Sequence, residues 1–121
     1  MNIRKFIALA MSNGGGSYCL FTGECNPTEG YMVSLKGHEN SVNEITFESV
    51  QEYFSRNAHL LTMPDHYFGL WKNGDEWVMD VSVNETDLHR AIELGDANDQ
   101  KALWDCANNV EVWIQRIKNV G

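Results

Sequence analysis

An α+β domain, in which two to three helices cover one face of an antiparallel sheet built from two or three hairpins, is the fold class that this 121-residue sequence predicts. Three observations carry the expectation. Aromatic and β-branched runs at residues 67–71 and 76–83 meet at Lys72-Asn73-Gly74-Asp75, and Asn-Gly between two such runs is a strong hairpin signal. Phe47, Val50, Phe54, Ala58 and Leu61 recur at intervals of three and four, the period of a single helix face. Along the whole chain the segments read as helix, hairpin, helix, hairpin, helix and a final hairpin.

In residues 1–13, Ile3, Phe6, Ile7 and Ala10 fall on one helix face before Ser12-Asn13-Gly14-Gly15-Gly16 breaks the helix, which is expected as an appendage to the sheet. Residues 18–21 and 31–35 read as a hairpin joined through the turn-forming Gly23-Glu24-Cys25-Asn26-Pro27, with Tyr31, Val33 and Leu35 facing the core. Thr46 can cap the helix over residues 47–61, and Pro64 forbids its continuation. In the strand at 76–83, Trp77, Met79, Val81 and Val83 share one face; Val78, Asp80 and Ser82 lie on the other, which is expected to be partly wet. Leu88, Ala91 and Ile92 mark a short helix with Asn84 or Thr86 as its cap and Gly95 as its stop. From Lys101 onward, Val110, Trp113, Ile114 and Ile117 fit a helix while Val110, Val112 and Ile114 alternate as in a strand. The density of Val, Ile and Trp favours the strand, after a turn at Ala107-Asn108-Asn109.

Residues 1–121 have the length of one domain, and 43% hydrophobic against 21% charged residues is the balance of a chain that folds around a core. No apolar run approaches the ~18 residues that a membrane span needs. The apolar stretch behind Arg4-Lys5 is about 6 residues long, short of the ~7–15 of a signal peptide. A cytoplasmic location is expected, and an odd count of three cysteines agrees with it, since it does not suggest a disulfide framework.

The formal charge is −8, unevenly spread: residues 75–99 hold Asp75, Glu76, Asp80, Glu85, Asp87, Glu93, Asp96 and Asp99 against Arg90 alone, a net −7 that leaves −1 for the remainder. Such a field repels phosphate backbones and favours basic partners, which argues against direct nucleic-acid binding. A solvated surface that keeps the protein soluble accounts for the same charges.

Chemistry-bearing patterns are sparse. Cys19, Cys25, Cys106, His38, His59, His66, His89 and Glu39 could ligate a metal, but their spacing lacks the close pairs of structural zinc, so neither metal nor other cofactor is expected. A nucleophilic arrangement of Cys25, His38 and Glu39 is conceivable if a 19–39 hairpin folds the loop back; an ordinary turn explains the same residues. Asp80 and Asp105 are the candidates for acid-base work, against roles as caps or solvated groups. Gly14-Gly15-Gly16-Ser17 lacks the Lys-Ser/Thr of a phosphate loop and precedes a strand rather than opening a helix. Trp71, Trp77, Trp104 and Trp113 all fall on expected strands; most belong in a core, and one or two left exposed would anchor a protein partner.

The stretches GECNPTEGYMVSLKGHE, YFGLWKNGDEWVMDVSVNETDLHRAIELG and NDQKALWD, within residues 15–107, are similar to small uncharacterised proteins of phages, prophages and other mobile elements. The resemblance brings no catalytic residue. It implies an intracellular accessory protein that binds host proteins, and with the charge it leads to the expected function: docking on a basic host surface, such as that of a nucleic-acid-binding protein, through Asp75, Glu76, Glu85, Asp87, Glu93, Asp96 and Asp99, with anti-defence mimicry of DNA as its specific form. The alternative is a small enzyme or ligand-binding domain with its pocket near residues 19–39. A homodimer through an unpaired sheet edge is compatible with either.

Overall fold

The computed structural model describes residues 2–115. Helix α1 (Ile3–Asn13) begins where the Asn2 side chain accepts the Lys5 amide at 2.9 Å, and ends on Gly14 at φ 84°, a left-handed stop. Strand β1 (Gly15–Tyr18) follows at once. Then come β2 (Tyr31–Ser34), β3 (Asn40–Val42), α2 (Phe47–Leu61), the long hairpin of β4 (His66–Asn73) and β5 (Glu76–Glu85), α3 (Leu88–Ala97), and the hairpin of β6 (Ala102–Asp105) and β7 (Val110–Trp113). These seven strands form one antiparallel sheet, six of them in the order β1-β4-β5-β2-β6-β7 and β3 beside β5 off that path. Because β4 occupies one edge of β5 along almost its whole length, β2 and β3 divide the other edge, β2 against residues 82–85 and β3 against residues 77–79.

Strand alternation decides what each face carries. Phe68 lies opposite Val81, Leu70 opposite Met79 and Tyr18 opposite Phe68, so these side chains share one face and pack with Phe6, Val50, Tyr53 and Leu61 of α1 and α2. On the same face farther along the sheet, Val33 and Leu103 meet Ala91 of α3 together with Ile114. All three helices therefore cover one face, as the fold class predicts. Phe6, Phe68, Leu61, Leu70 and Met79 are fully buried, each stabilising the fold by about 1.5–3 kcal/mol relative to exposure. The α1 helix is built into this core: the Phe6 ring sits 5.3 Å from Tyr18 and 6.2 Å from Phe68.

Several local expectations are met. Thr46 caps α2, accepting the Ser49 amide at 3.0 Å while the Ser49 hydroxyl accepts the Thr46 amide at 3.1 Å. The four tryptophans lie on strands β4, β5, β6 and β7, and Val110–Trp113 is a strand, but residues 114–115 are helical, so the strand expected to include Ile114 stops one residue short of it; the segment from residue 116 lies outside the described residues.

Others are corrected. Residues 18–21 and 31–35 do not pair. The first strand is shifted to Gly15–Tyr18 and joins β4, while β2 inserts between β5 and β6. The reason is side-chain size: a Cβ at Gly15 would come within 2.3 Å of the Trp71 ring, so a glycine lets this strand lie against β4. The intervening loop folds back on β1, where Asn26 at φ 52° donates its amide to the Ser17 carbonyl and accepts the Ser17 amide with its side chain, both at 2.9 Å. Asp87, not Asn84 or Thr86, caps α3, and the helix runs past Gly95 to Ala97. Gly95 is a packing residue, since a Cβ there would approach Ile114 at 2.6 Å and Leu103 at 3.1 Å. In the β4–β5 hairpin Asn73 stays paired, and Gly74 at φ 61° takes the first of two loop positions.

Replacing Phe6 by alanine should lower the unfolding free energy by about 3–5 kcal/mol in urea titrations. A change below about 1 kcal/mol would mean that α1 is dispensable to the core.

Candidate functional site

The second face of the sheet carries no helix among the described residues. Register places Tyr67, Gly69 and Trp71 of β4 beside Ser82, Asp80 and Val78 of β5, with Met32 and Ser34 of β2, Trp104 of β6, and Glu111 and Trp113 of β7 on the same side. One end is closed by Cys19 and Cys106, which pack with Met32, Tyr67 and Trp104 in a small second core. At the other end, small side chains lie low between tall ones, leaving a cavity of about 690 Å³ lined by Ser34, Asp80 and Ser82 and by Trp71, Trp104 and Trp113. The Trp71 and Trp104 rings, 6.4 Å apart and tilted by 51°, separate it from a smaller cavity of about 400 Å³ beside Ser17 and Asn26.

Asp80 is the chemical centre of the larger cavity. The face is partly wet, as expected, with Val78 half-buried, but Asp80 and Ser82 are shielded from solvent, 7% and 5% exposed. Its Oδ2 accepts the Ser34 hydroxyl at 3.0 Å, and the Ser34 and Ser82 hydroxyl oxygens are 3.4 Å apart. The Oδ1 atom is buried with no hydrogen-bond partner among the described residues. Burial pushes the carboxyl up to about 6, and the charge of nearby Glu39 pushes the same way. Hydrogen bonding by Ser34 and Ser82 opposes the rise, as does the Trp71 indole N–H, which approaches the carboxylate without reaching full hydrogen-bond geometry. Gly69 makes the arrangement possible, because a Cβ at this position would stand 1.9 Å from Asp80 Oδ1. An isolated glycine inside the strand pattern YFGLW is the sequence signal for such a close approach.

The residues singled out from sequence are distributed otherwise. Cys25 bridges to Tyr18 on the outer edge of β1. Glu39 directly precedes β3 and lines the large cavity, so four strand spacings, roughly 19 Å in a flat sheet, separate the two. His38 Nδ1 instead meets Asn57 Oδ1 at 2.9 Å, where α2 departs from helical geometry, and its carbonyl accepts the Tyr53 hydroxyl. The Cys25, His38 and Glu39 constellation is therefore not assembled; the expected hairpin that would have joined it does not form. Asp105 serves the β6–β7 turn, accepting the Ala107 and Asn108 amides at 3.1 and 3.3 Å and the Asn108 side chain at 2.8 Å. Those bonds, the last foremost, hold it below the usual carboxylate range.

The acidic segment is spread over three places. Asp75 and Glu76 sit at the tip of the long hairpin and Asp80 lies in the cavity, while Glu85 ends β5 roughly 30 Å from the tip. Asp87 caps α3, accepting the His89 and Arg90 amides at 2.8 and 3.2 Å. Glu93 lies 3.0 Å from His89 Nε2, Asp96 is near the end of α3, and Asp99 pairs with Lys36.

No group of three or more His, Cys, Asp or Glu among the described residues is placed to hold a metal ion, and no described helix is long and apolar enough to cross a membrane. None of the three cysteines forms a disulfide; Cys19 and Cys106 are buried, and burial pushes the Cys106 thiol up. Comparison with family models, curated proteins and solved structures finds no match, so the site is read from its own geometry. Chemically it offers a buried carboxylate oxygen with no hydrogen-bond partner among the described residues, framed by indole faces.

A carboxyl whose pKa rises from 3.8 to about 6 on folding holds its proton more tightly in the native state, so stability falls as pH rises through that window. Above it the cost of the charge is about 3 kcal/mol. Asp80→Asn should accordingly stabilise the protein in urea at pH 7.5 and lose that advantage at pH 3.5; equal effects at both pH values would contradict the assignment. Gly69→Ala should destabilise by about 1–3 kcal/mol in the same assay.

Proposed function

We propose that the protein acts by binding, and that its contact is the tryptophan-walled acidic cavity on the helix-free face of the sheet. The observation that carries this reading is the pairing of a buried carboxylate with three tryptophans in one concavity, where partner hot spots would be expected to collect. Trp113 is 44% exposed at the outer strand β7, where its indole is open to a partner. With a net charge of −8, the partner is a basic surface. In the setting that the resemblance implies, this is an accessory protein of a phage or other mobile element, inside the cell, whose partner is a basic host protein; an anti-defence role belongs to the same proposal.

DNA mimicry by the 75–99 segment is supported by its charge alone, and its carboxylates at opposite ends of β5 make a single docking face less favourable. A second reading, a ligand-binding domain or small enzyme, is favoured by the cavity volume of about 690 Å³, within the range of small-molecule sites, and by Asp80 titrating near 6. In that reading Asp80 replaces Cys25 and His38 as the residue of interest.

Affinity capture from the natural host, repeated with two variants, separates these readings. Trp104→Leu with Trp113→Ala should weaken capture of a defined basic partner at least about tenfold. Asp87→Asn, Glu93→Gln and Asp96→Asn together should change only its salt dependence. The opposite pattern would transfer the contact to the acidic helix.

A further inference from the structure

We propose that the cavity takes an organic cation that retains N–H donors, an ammonium or guanidinium group of the lysine or arginine type, which donates to Asp80 Oδ1 while its charge lies against the indoles of Trp71 and Trp104. The inference rests on the binding reading above and names the group recognised.

Four features of the cavity converge on this class. The floor holds a carboxylate oxygen that is buried and lacks a donor, and a buried acceptor of this kind is stabilised strongly by a ligand that supplies one. A ligand N–H on Oδ1 would complete the set that Ser34 begins on Oδ2. Charge selects the sign: Glu39, Asp80, Asp99 and Glu111 line the cavity against Lys101 alone, and although Lys36 holds Asp99, an anion would meet a repulsive wall. The walls suit a cation too. Indole faces attract ammonium and guanidinium groups within about 6 Å, more strongly when water is excluded, and the Trp71 and Trp104 rings open as a wedge of 51°. Shape follows from Gly69, whose missing Cβ leaves room for Oδ1 to lie against the strand alongside.

The donor requirement separates this class from its nearest rival. A quaternary ammonium satisfies the indoles but has no N–H, and would leave Oδ1 buried and unpartnered. Affinity for a donor-bearing cation should also depend on the ionisation of Asp80, falling about tenfold from pH 7.5 to pH 5 as the carboxyl takes up a proton. The other titratable groups facing Asp80 or the cavity are Glu39 before β3, Tyr53 of α2, Asp99 and Lys101 after α3, and Glu111 of β7.

The test uses the full chain with four probes of one alkyl length: butylammonium, butylguanidinium, butyltrimethylammonium and butyrate. Binding is followed by tryptophan fluorescence and by the indole N–H resonances. Expected are saturable shifts with the first two, at least about tenfold weaker binding of the trimethylated probe, and none with butyrate. Asp80→Asn, a neutral isostere whose folding is checked by its unfolding curve, should remove the preference for N–H donors and flatten the pH dependence. Equal binding of butylammonium and butyltrimethylammonium would overturn the proposal, as would unaltered selectivity in Asp80→Asn or no response to any cation. If cations fail while the tryptophan variants still abolish partner capture, only the ligand class is wrong; if partner capture survives the loss of the tryptophans, the binding reading itself falls.

Discussion

The pairing of β4 with β5 is the constraint on which the rest of the molecule depends. It runs from His66 opposite Val83 to Asn73 opposite Glu76, and every other strand except β6 and β7 attaches directly to one of its two edges. Because side chains alternate, this single register assigns Phe68, Leu70, Met79 and Val81 to one face and Gly69, Trp71 and Asp80 to the other. A slip of one residue would put Phe68 and Asp80 on the same face, so that either the carboxylate entered the apolar core or the phenyl ring entered the cavity. The same hydrogen bonds therefore specify both the core and the site.

The two faces solve different problems. On the helical face, interlocking Phe6, Tyr53, Phe54 and Phe68 exclude water by packing rings edge to face or tilted, with Phe54 and Phe68 centroids 4.9 Å apart at 83°. On the other face, the chain maintains a charged group out of water with its hydrogen bonding incomplete, an arrangement that opposes folding. Stability on one face sustains an unfavourable feature on the other, the usual relation between a scaffold and a site.

Supporting loops show how the cavity is held in place. Asn57 breaks the helical geometry of α2 and uses its side chain twice, donating to the Tyr53 carbonyl at 3.0 Å and meeting His38 at 2.9 Å. That anchors the segment delivering Glu39 to the cavity mouth. On the opposite side, the backbone of Lys36 donates to Asn98 Oδ1 at 3.0 Å, and its ammonium pairs with Asp99, fixing the end of α3 near the rim. Exposed ion pairs of this kind add little stability, but they position residues.

Periodicity and local chemistry by themselves determined the α+β class, the helix over Phe47–Leu61 with its Thr46 cap, the hairpin at Gly74 and the strand position of all four tryptophans, because each depends on neighbours within a few residues. What only the tertiary structure decided was pairing across distance. The Gly15–Tyr18 strand goes to β4 because a glycine fits beneath the Trp71 ring, and Gly95 continues its helix because Leu103 and Ile114 occupy the space above it. Asp80 was visible as the one charge in WVMDVSV, yet its burial came from Gly69, Ser34 and Trp71, on other strands. Sequence spacing records the period of an element; which side chains converge across a sheet is set by strand order, and strand order follows from packing between segments far apart in the chain.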